Sequence, residues 1–79
     1  FMSIEEQLIN YFRENFVADV DSNTALIESG LIDSMGVMEL VEYLERSFGV
    51  EMDMDDLTVD RFGTITSIKQ LITEKQGAA

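Results

Sequence analysis

A chain of 79 residues with no cysteine and no histidine is enough for one small domain, and it has neither a disulfide framework nor the usual catalytic imidazole. Sixteen acidic residues against five basic ones leave a net charge of −11, which makes nucleic acid and anionic membrane poor partners and a basic protein surface a better one. High charge also accompanies disorder, but 46% hydrophobic residues set in periodic stripes predict a folded domain near the lower size limit for a single core. The lack of thiols fits a reducing, cytoplasmic compartment, and the apolar runs are too short for a secretory leader or a membrane span. Phe1 ahead of Met2 reads as a cloning remnant. A single domain is expected over residues 2–76, with 77–79 as a fraying tail.

Ser3-Ile4-Glu5-Glu6 has the form of a capping box at the start of a helix. Ile4, Leu8, Tyr11, Phe12 and Phe16 follow at three- and four-residue steps, so a first helix is predicted from Ile4 to about Phe16. Asp19 to Asn23 is a polar break with turn chemistry. Asp19, Asp21 and Asn23 match the first half of a calcium loop. Thr24, however, stands where that loop needs glycine, and Gly30 where it needs a bidentate glutamate, so no calcium or other metal site is read here. From Thr24 to Ile32 no period is sustained. The apolar Leu26, Ile27, Leu31 and Ile32 predict a long connection laid along the bundle rather than out in solvent.

Asp33 is a good N-cap and Gly49 a good left-handed terminator for a second helix beginning at Ser34. Val37, Leu40, Val41, Leu44 and Phe48 share one stripe of it. Met35, Met38, Glu39, Glu42 and Arg46 lie on the other side, with Glu45 near one edge. Beyond the acidic stretch Glu51 to Asp60, Thr58 would cap a short third helix, Val59 to Phe62, stopped by Gly63. Thr64 would cap a last helix striped by Ile65, Ile68, Leu71 and Ile72. Nothing reads as a strand. The predicted fold is all-α, a four-helix bundle with a long first loop and a short third helix.

Ser34 then stands at the positive end of the second helix, beside methionines and carboxylates. As a nucleophile it would need a base and an oxyanion site. The only lysines, Lys69 and Lys75, fall on another helix, and Ile32 occupies the first glycine's place in a G-x-S-x-G elbow. The serine is better read as acted upon than as acting, and the chain as a non-enzyme. A helix N-terminus suits a phosphate ester, and methionines on a polar face suit an adaptable contact surface. A plain helix cap and a methionine at the margin of the core would look the same in sequence.

Leu31-Ile32-Asp33-Ser34-Met35, the helix that follows it to Phe48-Gly49, and Phe62-Gly63-Thr64-Ile65-Thr66-Ser67-Ile68 together resemble an acyl carrier protein. The likeness runs from Ile4 to about Lys75. It implies a 4′-phosphopantetheine arm, donated by coenzyme A and joined to Ser34, whose thiol holds acyl or aminoacyl groups as thioesters. It also implies that Asp33 and Met35 belong to the motif read by a phosphopantetheinyl transferase. By the same resemblance Met35, Met38, Glu39, Glu42 and Glu45 dock partner enzymes, namely a loading ligase or transferase and downstream synthases, onto a monomeric carrier. Val41, Phe62, Ile65 and Ile68 are expected near the gap between the second and third helices, where an acyl chain could shelter. Gly36 and Arg46 stand where fatty-acid carriers have acids, so Asp33-Ser34-Met35-Gly36 is more similar to stand-alone D-alanyl and other aminoacyl carriers. The competing reading from another class is a small acidic module that binds a partner noncovalently.

Overall fold

The computed structural model describes residues 2–16 and 19–77. The remnant assigned to Phe1 and the end of the tail, residues 78–79, lie outside the described residues. Helix α1 spans Ile4–Phe16, α2 Ser34–Phe48, α3 Val59–Phe62 and α4 Ile65–Gly77, and a 3-10 turn at Met54–Asp56 precedes α3. Among the described residues there is no strand. The fold is the predicted all-α bundle. Its one unexpected element is the 3-10 turn, inside a stretch whose acidic composition has no helical period.

Each helix begins where local chemistry satisfies its orphan N–H groups. The Ser3 hydroxyl accepts from the Glu6 N–H (3.1 Å) while the Ser3 N–H donates to Glu6 Oε1 (3.2 Å), closing the predicted box. Thr58 Oγ1 accepts from the Arg61 N–H (3.2 Å) and Thr64 Oγ1 from the Ser67 N–H (3.1 Å). Helix α4 continues through Gly77, one residue beyond the predicted domain end. Gly63, between α3 and α4, is needed for space rather than for its dihedral angles. A Cβ there would run into the Val59 carbonyl oxygen.

The stripes meet in one core. Leu8 and Phe12 of α1, Leu40, Val41 and Leu44 of α2, Phe62 of α3, and Ile65, Ile68, Leu71 and Ile72 of α4 are buried together. The long connection adds Leu26 and Ile32 to that cluster, so it covers the bundle as its apolar residues predict. Backbone bonds hold it down: the Leu26 N–H donates to the Gly63 carbonyl (2.8 Å) and the Thr66 N–H to the Ser22 carbonyl (3.0 Å). Asp21, one of the calcium-loop residues, is occupied in a turn, its Oδ1 accepting from the Asn23 N–H (2.8 Å) and the Thr24 hydroxyl (3.2 Å). Anchored to the α3–α4 junction and ending in buried Ile32, the connection delivers Asp33 and Ser34 to one end of the bundle.

Candidate functional site

Asp33 has extended backbone angles, and its Oδ1 accepts from the Gly36 N–H at 2.9 Å, so α2 opens on a charged cap. The other end closes on Gly49, which has φ of 67° and donates its N–H to the Glu45 carbonyl. Gly36 lies close beneath the cap. A Cβ there would sit 3.2 Å from the Ile32 Cβ and 3.5 Å from the Phe16 ring. The first turn of α2 thus presses on the connection and on the end of α1, which fixes where Ser34, the first residue of that turn, stands. Ser34 is exposed. Asp33 serves the Gly36 N–H, and among the described residues the N–H groups of Ser34 and Met35 have no partner.

Two apolar hollows meet at this serine. The outer one, about 530 Å³, is lined by Ser34, Met35, Met38, Glu39, Val41, Glu42 and Glu45. The inner one, about 290 Å³, runs between α2 and α3 and is lined by Ile27, Ser34, Val37, Met38, Leu57, Thr58, Val59 and Phe62. Ser34 and Met38 line both. Every residue expected on a docking face therefore borders the outer hollow. Met35 and Met38 are 74% and 58% exposed, so neither is a margin-of-core methionine.

The expected docking residues differ in what they are free to do. Glu39 and Glu42 are exposed, and Glu42 faces Arg46 at 3.6 Å one turn on. Glu45 is half-buried, and its Oε2 accepts from the Met52 N–H at 2.9 Å. It ties the chain leaving α2 back onto the helix. The field of this acidic face reaches inward: burial first, then the Glu39 carboxylate, hold the Tyr11 phenol above its ordinary pKa.

The four shelter residues are separated. Phe62 lines the inner hollow, whereas Val41 lines the outer one. Ile65 and Ile68 are fully buried in the common core and line neither. Sequence reasoning missed Ile27, Leu57, Thr58 and Val59 as walls of the inner hollow. The available signal was Val59 with Phe62, three residues apart on one face of a short helix. It also missed the Tyr11–Tyr43 stack, with ring centroids 4.2 Å apart.

A capped helix N-terminus with two unpartnered N–H groups suits an anion, and here an exposed hydroxyl and two apolar hollows stand beside it. The comparisons with known proteins supply the class. The family described as "Phosphopantetheine attachment site" matches residues 6–73. D-alanyl carrier proteins of Streptococcus pyogenes serotype M5 (strain Manfredo), serotype M49 (strain NZ131) and serotype M1 are each 35% identical over 79 residues, covering 98% of this chain and all of theirs. A chain in the solved structure titled "Crystal structure of FAD-dependent dehydrogenase" superposes with a TM-score of 0.70 at 26% identity, over 82% of this chain and 92% of that one. This chain belongs to the phosphopantetheine-attachment family. It is a carrier protein that bears acyl or aminoacyl cargo on a 4′-phosphopantetheine arm.

Proposed function

We propose that Ser34 is the covalent attachment point of the arm and that the cargo is a small aminoacyl group, as the names of the D-alanyl relatives indicate for those proteins. The observation that carries the site is the placement of Ser34: exposed at the N-terminus of α2, and the one hydroxyl lining both hollows together with Met38. When bound, the arm supplies a thiol that holds the cargo as a thioester. The chain's own residues do the rest. The Ser34 and Met35 N–H groups and the helix dipole would favour the phosphodiester's negative charge, a stabilisation of up to ~1 kcal/mol at an exposed site. Asp33 holds the first turn of α2 closed through the Gly36 N–H. The inner hollow offers a small apolar surface against which the arm can lie.

In this reading the chain, as one domain over residues 2–76, catalyses nothing itself. It is a monomeric cytoplasmic carrier that a phosphopantetheinyl transferase modifies, a ligase loads, and downstream enzymes unload. Met35, Met38, Glu39 and Glu42 meet those partners, and Glu45 contributes by holding the end of α2 in shape. Tethering gives each docked active site a high effective concentration of cargo without a new search by diffusion. No helix among the described residues is long and apolar enough to cross a membrane.

Incubation with coenzyme A and a phosphopantetheinyl transferase, followed by intact mass measurement, tests the site. The wild-type chain should gain one arm. Ser34→Ala should gain none and keep its helical circular dichroism, because Asp33 still caps α2. Modification of Ser34→Ala, or none of the wild type, would move or remove the assignment.

A further inference from the structure

Resting on that reading of Ser34, we propose that Met35 and Met38 form a reversible oxidation site that controls access of partner enzymes to the serine. The chain has no cysteine, so its thioethers are the protein's own oxidisable sulfur. Met35 and Met38 are 74% and 58% exposed, lie three residues apart and so share one patch of helix surface, and both line the outer hollow beside Ser34. Met38 lines the inner hollow as well. Neither belongs to the buried core. An oxygen added to either sulfur changes the surface that a partner meets and leaves the packing of the bundle alone.

The chemistry is a single oxygen transfer. A hydroperoxide gives its terminal oxygen to the thioether sulfur as the O–O bond breaks and an S–O bond forms. The sulfur is oxidised by two electrons, and the peroxide is reduced to water or an alcohol. An apolar, deformable side chain becomes a polar, chiral one. In the hollow at Ser34 that oxygen must be desolvated whenever a partner closes an apolar contact over it. Methionine sulfoxide reductases reverse the change, so access to the serine can be restored after it is lost. Met54 is a built-in comparison, since it is 85% exposed and lines neither hollow.

The test compares each protein's transferase rate after hydrogen peroxide with its own untreated rate, after peptide mapping has located the sulfoxides. Wild type and Met54→Leu should both slow by about tenfold at subsaturating carrier, with unchanged circular dichroism, and sulfoxide reductases should restore the rate. The doubly substituted Met35→Leu/Met38→Leu chain should show no loss on treatment, whatever its starting rate. Oxidised wild type modified at its untreated rate would overturn the proposal. So would a doubly substituted chain that slows as much as wild type. An untreated wild-type chain that accepts no arm is a distinguishable failure: it removes the Ser34 assignment, and this proposal with it.

Discussion

Lys75 shows how a single side chain can organise a segment that has no period of its own. Its Nζ lies 2.7 Å from Asp56 Oδ2 and 3.8 Å from Asp53, and the same Asp56 oxygen accepts from the Asp53 N–H at 2.8 Å. One carboxylate thus closes the 3-10 turn and fastens it to the end of α4. The hydrogen bond from Lys75, then that from the Asp53 N–H, hold the Asp56 carboxyl below its ordinary pKa, and the bond to Asp56 raises that of Lys75. Asp56's depressed pKa means that its contribution is complete above the ordinary aspartate value and is lost as pH falls through the depressed one. Lys75, shifted upward, contributes fully below the ordinary lysine value and loses its share as pH rises through the raised one. Asp56→Asn should therefore melt below wild type at neutral pH, and the gap should close as pH falls through the Asp56 titration. Thermal melts of both proteins across the acid range check this, and a gap independent of pH would assign the loss to geometry rather than charge. None of this could be read from Asp53, Asp55 and Asp56 as a string, because the partner comes from a distant helix.

Helix α2 was readable because its cap, stripe and terminator are all local. Asp33 caps it, Leu40, Val41 and Leu44 are buried, and Gly49 ends it left-handed. The two faces should separate cleanly under mutation. Leu44, fully buried, should cost roughly 2–5 kcal/mol of folding stability when changed to alanine, measured by chemical denaturation. Glu39→Lys should change stability by no more than about 0.5 kcal/mol yet weaken binding to a basic partner site by about 1 kcal/mol or more, chiefly through the association rate. Glu42→Lys is less clean because it also removes the pair with Arg46. A Glu39→Lys chain as unstable as Leu44→Ala would mean that this face is structural. What α2 alone could not disclose was the role of Glu45 or the make-up of the inner hollow. Both depend on how the chain returns after Gly49, where Met52 meets Glu45 and Leu57 and Val59 join Val37 in lining the hollow.

At the scale of the molecule, charge is the least balanced quantity. Arg13, Arg46, Arg61 and Lys75 are each within 4.0 Å of a carboxylate, and Lys69 is the one further base in the chain. With the bases so committed, the excess of acids that leaves a net charge of −11 spreads over a body of 35 × 30 × 19 Å. At about 10 mM salt the screening length is roughly 30 Å, so every carboxylate feels nearly every other; at about 150 mM it is near 8 Å and most of that repulsion is gone. Repulsion of this kind opposes the compact state more than the expanded chain, because folding brings the charges closer together. The bundle has only one small core with which to oppose it. Raising sodium chloride across that range at neutral pH should therefore raise the melting temperature, and a few millimolar magnesium should do so at lower ionic strength. The ion pairs pull the other way, since screening weakens them; the exposed ones contribute about 0–1 kcal/mol each, the half-buried Lys75–Asp56 pair is screened least, and all are few against the unpaired acids. Calorimetric scans at both salt concentrations decide between the two effects. A melting temperature that stays flat or falls with salt would show that the ion pairs around α3 and α4, not the general repulsion, set the stability of the fold.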